Sequence, residues 1–282
     1  MTITDLTDIK NPVEINSTQP EPVAATPISN YKFPTEIVEL PSKGLLYPAD
    51  SPLRSGNVEM KYMTTKEEDI LSTTSYIKSG VVLDKLFQSM LVTKFNYNDL
   101  LLGDRNMIMV AARIYGYGPM YQTNITNSDG KQQSVVVDLS KLKHKTIDES
   151  LLTPGTNKFS FTLPLSKHVV EFNLLTVGAQ QQIEKSLEQQ RKYASKDAPE
   201  ENLTTRLRYM ITSVDGATDS ATINSLILGM RVQDSRALRE YIGKVQPDVD
   251  LSIEVVDEAT NQPFRAEISL GLDLFWPDYK GQ

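Results

Sequence analysis

The spacing of apolar residues divides most of the chain into helical and extended segments. Helical spacing predicts helices over 82–91, from about 104 to 116, over 203–214, over 223–230 and from 234 onward, and a more polar helix is predicted over 180–190. Alternating or short apolar runs predict a strand over 58–64 and two hairpins, at 120–139 and 251–270. The first hairpin has Asp-Gly in its turn, a strong hairpin signal. The pattern therefore predicts an α+β fold with small sheets.

The order of these elements occurs twice. Residues 170–176 (VEFNLLT) match residues 58–64 (VEMKYMT) at three identical positions, and in both halves helices and then a hairpin follow the strand. The period exceeds that of solenoid repeats. We therefore predict two related α+β subdomains, 34–145 and 146–282, joined by the polar stretch 141–154.

Residues 1–33 differ from the rest of the chain. They contain four prolines among Thr, Ser, Asn and Glu, and they offer few apolar groups to offset the entropy of ordering. This composition predicts an extended or disordered N-terminal arm. An alternative is an arm that orders against a partner, for which Ile28, Tyr31 and Phe33 are the candidate contacts.

The C-terminal segment 272–277 holds the only tryptophan of the chain, and two interpretations of it remain open. Phe275 and Trp276 could pack back on the core, as large aromatic side chains usually do. They could instead form an exposed anchor in a protein interface, where aromatic residues often supply much of the binding energy.

Composition narrows the classes of function. With 36 acidic and 29 basic residues the net charge is −7, which disfavours nucleic-acid binding through phosphate contacts. The absence of cysteine excludes disulfides and cysteine-ligated zinc. No apolar run approaches a membrane span and the first residues do not resemble a secretory signal, so we expect a protein of the reducing cytosol.

Few residues form a pattern typical of catalysis or of a cofactor site. The Gly116-Tyr-Gly118 sequence follows a helix, the reverse of a dinucleotide fingerprint. His144 and His168 lack partners at metal-ligand spacing, and we expect both to be solvated or structural. Asp257 and Glu258 in the second hairpin turn match no calcium loop. The sequence predicts no catalytic residue, cofactor, metal or small-molecule substrate.

Carboxylates near residue 67 have a simpler explanation than catalysis. Thr64 or Thr65 precedes Glu67 or Glu68 by three residues at the start of a helical segment. This spacing is that of a capping box, in which each side chain satisfies a backbone N–H of the other residue. We predict a helix N-terminus here.

Several segments in order resemble one family. They are Leu40–Pro48 (LPSKGLLYP), 56–60 (GNVEM), 63–68 (MTTKEE), 102–105 (LGDR) and 112–118 (ARIYGYG). Together they cover about residues 38–140 and resemble the baseplate proteins of T4-type contractile-tailed phages, a group that includes the hub and its assembly factors. The resemblance implies a non-enzymatic role in building the baseplate at or near its hub, with other tail proteins as partners. It implies a location in the virion tail baseplate, or in the host cytoplasm during assembly.

One hairpin departs from that family. Many relatives carry cysteine pairs in the hairpin after the Gly-Tyr-Gly region, which would suit a zinc ion. This chain has Thr123, Asn124, Asn127 and Ser128 in that region instead. A zinc-bound hairpin is therefore not expected here.

Two other classes of function remain as alternatives. One is an adaptor or chaperone-like protein that binds a single phage or host partner. The other is an enzyme with an acidic active site that uses Asp104, Glu171 or Asp257. Neither has a motif of its own in the sequence.

Overall fold

The computed structural model describes residues 34–127, 130–193, 201–258 and 260–276. The predicted arm, with Ile28, Tyr31 and Phe33, lies outside the described residues. The described residues form an α+β fold, as the sequence predicts, with eight α-helices and several small antiparallel sheets. No helix in these ranges is both long and apolar enough to cross a membrane.

The helices and the strands with their loops both contribute buried apolar side chains to the core. The bounds of the helices are α1 Thr65–Ser72, α2 Thr74–Lys78, α3 Val82–Met90, α4 Leu102–Tyr117, α5 Val177–Tyr193, α6 Asn202–Met210, α7 Ser220–Gly229 and α8 Val232–Val245.

Helix α4 ends where Gly118 adopts a positive φ of 82°, a conformation that favours glycine. Gly116, by contrast, lies inside the helix and packs against Met63. Asp219 caps the N-terminus of α7, and its carboxylate accepts a hydrogen bond from the Thr222 N–H at 2.8 Å.

Eleven short strands form five sheets in the described part of the chain. Their bounds are β1 Thr35–Glu39, β2 Asn57–Lys61, β3 Met120–Thr126, β4 Gln132–Asp138, β5 Lys143–His144, β6 Phe159–Thr162, β7 Val169–Phe172, β8 Ile211–Val214, β9 Val249–Asp250, β10 Ser252–Val256 and β11 Pro263–Glu267. Four sheets have two strands each, β1–β2, β3–β4, β5–β9 and β10–β11, and the fifth is β6–β7–β8. All pairs are antiparallel.

The two halves share one core, which corrects the predicted division into subdomains. The described residues belong to one compact unit, and one buried apolar cluster runs from Val38 in the first half to Phe275 in the second. The backbones of Leu101 and Thr176 form a β-bridge across the supposed boundary. The order of strand, helices and hairpin does occur in both halves, but each half contributes to a common interior rather than enclosing its own.

The predicted joint at 141–154 is bound to both halves. The Lys145 N–H donates to the Asp248 carbonyl at 2.8 Å, and the Lys43 ammonium lies 2.6 Å from a Glu149 oxygen. The Gly155 N–H donates to the Leu45 carbonyl at 2.7 Å. This polar stretch is a connection within the compact unit, not a linker between domains.

One predicted helix is wrong at its end. The helical spacing of Leu207, Met210, Ile211 and Val214 predicts a helix to 214, whereas α6 ends at Met210 and β8 follows directly. Strand β8 pairs with β7, so sheet pairing determines the conformation where the apolar spacing fits both structures.

Candidate functional site

The residues that carry the resemblance form a buried polar cluster around Asp104. Asp104 lies in the first turn of α4 and is fully buried. One carboxylate oxygen accepts from the Ser42 N–H at 2.9 Å, and the other accepts from the Ser42 hydroxyl at 2.7 Å and the Tyr47 hydroxyl at 2.6 Å. The Tyr47 oxygen in turn accepts from the Leu101 N–H at 3.0 Å. These contacts attach the loop 40–48 to the start of α4.

Burial changes the acidity of this cluster. Removal from water raises the pKa of Asp104 to about 6, against the opposing effect of the hydrogen bonds from Tyr47 and Ser42. Burial and the adjacent Asp104 carboxylate also raise the pKa of Tyr47. Ser42, Tyr47 and Asp104 are all buried. The role of the cluster in the described structure is to position the loop.

A second motif residue, Glu67, forms the predicted capping box and extends it. One of its oxygens accepts from the Thr64 N–H at 3.0 Å and from the Thr64 hydroxyl at 2.6 Å. The other oxygen accepts from Lys61 at 2.8 Å and from Ser89 at 2.6 Å, which connects β2, α1 and α3. Burial alone would raise the pKa of Glu67, but these hydrogen bonds outweigh it and lower the pKa to about 2.

Replacing Glu67 with glutamine is expected to lower the free energy of unfolding at neutral pH by about 2 kcal/mol. The folded pKa of about 2 lies below the ordinary value of 4.5, so the carboxylate contributes stability above pH 4.5 that is lost as the pH falls toward 2. The difference between wild type and Glu67→Gln should therefore shrink over that interval. Urea unfolding at several pH values measures it, with the exposed neighbour variant Glu68→Gln as the control.

His168 and Asp215 are hydrogen-bonded at one end of the three-stranded sheet. The His168 Nδ1 lies 2.6 Å from an Asp215 oxygen, and the other Asp215 oxygen accepts from the Val169 N–H at 2.8 Å. These hydrogen bonds, that from Val169 first, lower the pKa of Asp215. The pair borders a groove of about 700 Å³ beside α7, but its hydrogen bonds connect the ends of β7 and β8.

The acidic residues considered for catalysis belong to different elements. Asp104 is in α4, Glu171 is in β7 with a hydrogen bond from Ser213, and Asp257 is buried at the end of β10. Within the described ranges, no three His, Asp or Glu side chains come close enough together to hold a metal ion.

The C-terminal aromatics pack back on the core. Phe275 is 4% exposed, and its ring lies 6.4 Å from that of Phe87 and 6.5 Å from that of Tyr117. Trp276 is half-buried and packs against the same cluster. The prediction of Phe275 as an exposed partner contact is therefore wrong for the folded chain, because the core encloses its ring.

A candidate surface for binding another protein lies between the two hairpins. A groove of about 740 Å³ is lined by β4 on one side, by β10 on the other and by Lys141 and Lys143 at one end. Val136, Val256 and Met120 line it and are 62%, 53% and 55% exposed. We call it the hairpin groove. Exposed apolar side chains of this size in one concave surface are typical of protein-binding sites.

Strand β4 presents an unpaired edge to this groove. Residues of an antiparallel strand alternate between those whose N–H and C=O face the partner strand and those whose groups face away. The Asn127 N–H to Lys131 carbonyl bond and the Leu139 N–H to Pro119 carbonyl bond fix that alternation for β3–β4. The backbone groups of Ser134, Val136 and Asp138 therefore face away from β3.

Strand β10 also has an unpaired edge among the described residues. The Asp257 N–H to Gln262 carbonyl bond and the Ile268 N–H to Leu251 carbonyl bond fix the alternation of β10–β11. The backbone groups of Ser252, Glu254 and Val256 consequently face away from β11. No backbone ladder joins β4 to β10 among the described residues.

Side chains and a short ladder hold the two edges on either side of the groove. At the hairpin tips, the buried Gln133 amide donates to the Val256 carbonyl at 2.8 Å and accepts from the Glu258 N–H at 3.3 Å. At the base, β5 follows β4 and pairs with β9, which precedes β10. The groove is therefore closed at both ends, by the Gln133 hydrogen bonds at the hairpin tips and by the β5–β9 pair at the base. The chain runs toward the base in β4 and away from it in β10.

Sequence reasoning predicted both hairpins but not the site between them. The available signal was the uninterrupted valine run 135–137 in β4 and the valine pair 255–256 in β10. These runs place Val136 and Val256 on the solvent-exposed faces of their strands, where a polar residue would be usual. The hydrogen bonds of the Gln133 side chain with Val256 and Glu258 join residues more than a hundred positions apart, so no local sequence pattern predicts them.

Comparison of the chain with family models, curated proteins and solved structures finds no match. The resemblance of residues 38–140 therefore stays a prediction.

Proposed function

We propose that this protein is a non-enzymatic baseplate protein of a contractile-tailed phage, either a hub-associated subunit or a hub-assembly factor. It acts through protein–protein contacts, and its partners are other tail proteins. On this proposal it is found in the tail baseplate of the virion, or in the host cytoplasm while tails are built.

The observation that carries the protein-binding part of the proposal is the hairpin groove. It combines two unpaired strand edges with the exposed side chains of Val136 and Val256. Free edges of this kind pair readily with another chain, and soluble proteins usually cover or charge them. The phage part of the proposal comes from the ordered segments between residues 38 and 140.

Deleting the gene from the phage that encodes this chain is expected to abolish complete tails, and a plasmid copy should restore them. Electron microscopy of lysates counts the tails, and mass spectrometry of purified particles separates the two versions of the role. A subunit is present at a fixed copy number, whereas an assembly factor is absent from the finished particle. Normal tails after deletion would contradict the proposal and favour an adaptor with another partner.

A further inference from the structure

We propose that a second copy of this chain packs on the exposed face of α7, with the two α7 helices antiparallel about a two-fold axis at Ser225. This inference concerns a surface other than the hairpin groove and goes beyond the proposed function.

Helix α7 differs from most surface helices because it carries no charged residue. The stretch without charge runs from 220 to 230 and ends at Arg231. One side of the helix is buried through Ile223 and Ile227 and packs against α6 and β8. The opposite side of such a helix usually carries charged residues, but here it carries none, and Leu228 is 67% exposed. Depletion of charged residues is typical of the centre of a protein interface.

The exposed positions of α7 are symmetric about Ser225. Beyond the first residue of the helix, the exposed residues are Ala221, Thr222, Ser225, Leu228 and Gly229. They lie four and three positions on either side of Ser225, which is the spacing of neighbours on one helix face. A two-fold axis at Ser225 would place Ala221 opposite Gly229 of the second copy, and the same axis would place Thr222 opposite Leu228. Contacts of this reciprocal kind are those of a two-fold dimer interface.

The face also has room for a second helix. A Cβ placed on Gly229 would meet no atom within 4 Å, so the space beside this residue is open. Ala221, Ser225 and Gly229 all line the groove of about 700 Å³ beside α7. Packed helix axes lie about 8–10 Å apart, and small side chains at the contact permit the closer distances.

Charges at the ends of α7 favour a copy of the same helix in the antiparallel direction. Asp219 lies six positions before Ser225, and Arg231 lies six positions after it. In an antiparallel pair, Asp219 of each copy comes near Arg231 of the other, whereas a parallel pair would bring like charges together. The opposed helix dipoles add to the same preference. Charge complementarity therefore identifies a second copy as the occupant of this face.

Single cysteines in the full-length protein test the axis directly, because the chain has no cysteine of its own. A disulfide needs Cα atoms within about 7 Å, a distance that residue 225 of the two copies satisfies at the axis. Under mild oxidation, Ser225→Cys is expected to give about tenfold more disulfide-linked dimer than Ser75→Cys, which changes an exposed serine in α2. Equal amounts from the two variants on a non-reducing gel would overturn the inference.

Cysteines on either side of the axis test the direction of the helices. Residues 221 and 229 are separated by about 12 Å along the helix, so in the antiparallel pair neither can form a disulfide with its own counterpart. Ala221→Cys mixed with Gly229→Cys should form a disulfide-linked dimer, and each variant alone should not. Efficient linkage of Ala221→Cys with itself would contradict the antiparallel arrangement.

Sedimentation velocity of the purified protein measures the dimer itself. We expect wild type to sediment as a dimer at micromolar concentration and Ser225→Lys as a monomer, because two positive charges would meet at the axis. Lysine has a higher helix propensity than serine, so circular dichroism should show Ser225→Lys folded. Ser75→Lys, the control, should remain a dimer. A monomeric wild type, or a dimer that persists in Ser225→Lys, would overturn the inference, and neither result depends on whether the protein is needed for tails.

Discussion

Replacing Asp104 with alanine is expected to lower the free energy of unfolding at pH 7 by about 3 kcal/mol. The change leaves the Ser42 N–H, the Ser42 hydroxyl and the Tyr47 hydroxyl without their acceptor in a site that water does not reach. Buried donors without partners cost more than the net strength of the lost bonds. Urea unfolding followed by circular dichroism measures the effect, with the exposed Asp99→Ala as the control.

The effect of Asp104→Ala should also depend on pH in a defined direction. The folded pKa of about 6 lies above the ordinary value of 3.8, so Asp104 contributes stability that is fully present below pH 3.8 and lost as the pH rises through 6. The alanine variant lacks this titration. The difference between the two proteins should therefore grow as the pH is lowered from 7 toward 4, and a constant difference would contradict the assigned environment of Asp104.

Replacing Val256 with lysine is expected to reduce the yield of complete tails about a hundredfold. Val256 is half-exposed in the free protein, so the variant should fold with its free energy of unfolding changed by no more than about 0.5 kcal/mol. Lysine on a strand edge opposes pairing with another strand, and an unpaired charge buried in an interface costs about 3 kcal/mol. Ile37→Lys places the same charge on an edge outside the groove and should assemble normally.

Local signals in the sequence were sufficient for most helices and for both hairpins. The apolar spacing of Leu83, Leu86, Phe87 and Met90 predicts α3 because one face of that helix is buried. The alternation in β4 and the Asp-Gly turn predict the first hairpin for the same physical reason. These elements are determined by residues that are close together in the chain.

Features that depend on distant residues were not predictable from one sequence. Asp104 resembled an ordinary acidic residue at a helix start, and its partners Ser42 and Tyr47 lie more than fifty positions earlier. Strands β5 and β9 have two residues each, too few for any alternation. The groove exists because β5 pairs with β9 and because Gln133 hydrogen-bonds to Val256. Both contacts join distant parts of the chain, so the groove depends on tertiary packing.

The shared core is the feature that the predicted division into two subdomains missed. A repeated order of elements predicts how each half is built, but it does not indicate which apolar faces meet. Here the Leu102 N–H donates to the Leu175 carbonyl, and the Val177 N–H to the Leu100 carbonyl, so α5 begins on the start of α4. That the two halves are related remains a prediction, whereas the described residues form one compact unit.

The central claim is that tails are assembled through the hairpin groove, and the number of complete tails in cells that produce Val256→Lys tests it most directly. The deletion phage is complemented with wild type, Val256→Lys or Ile37→Lys, and tails are counted by electron microscopy. We expect wild-type numbers with Ile37→Lys and about a hundredfold fewer with Val256→Lys. Wild-type numbers of complete tails with Val256→Lys would contradict the claim.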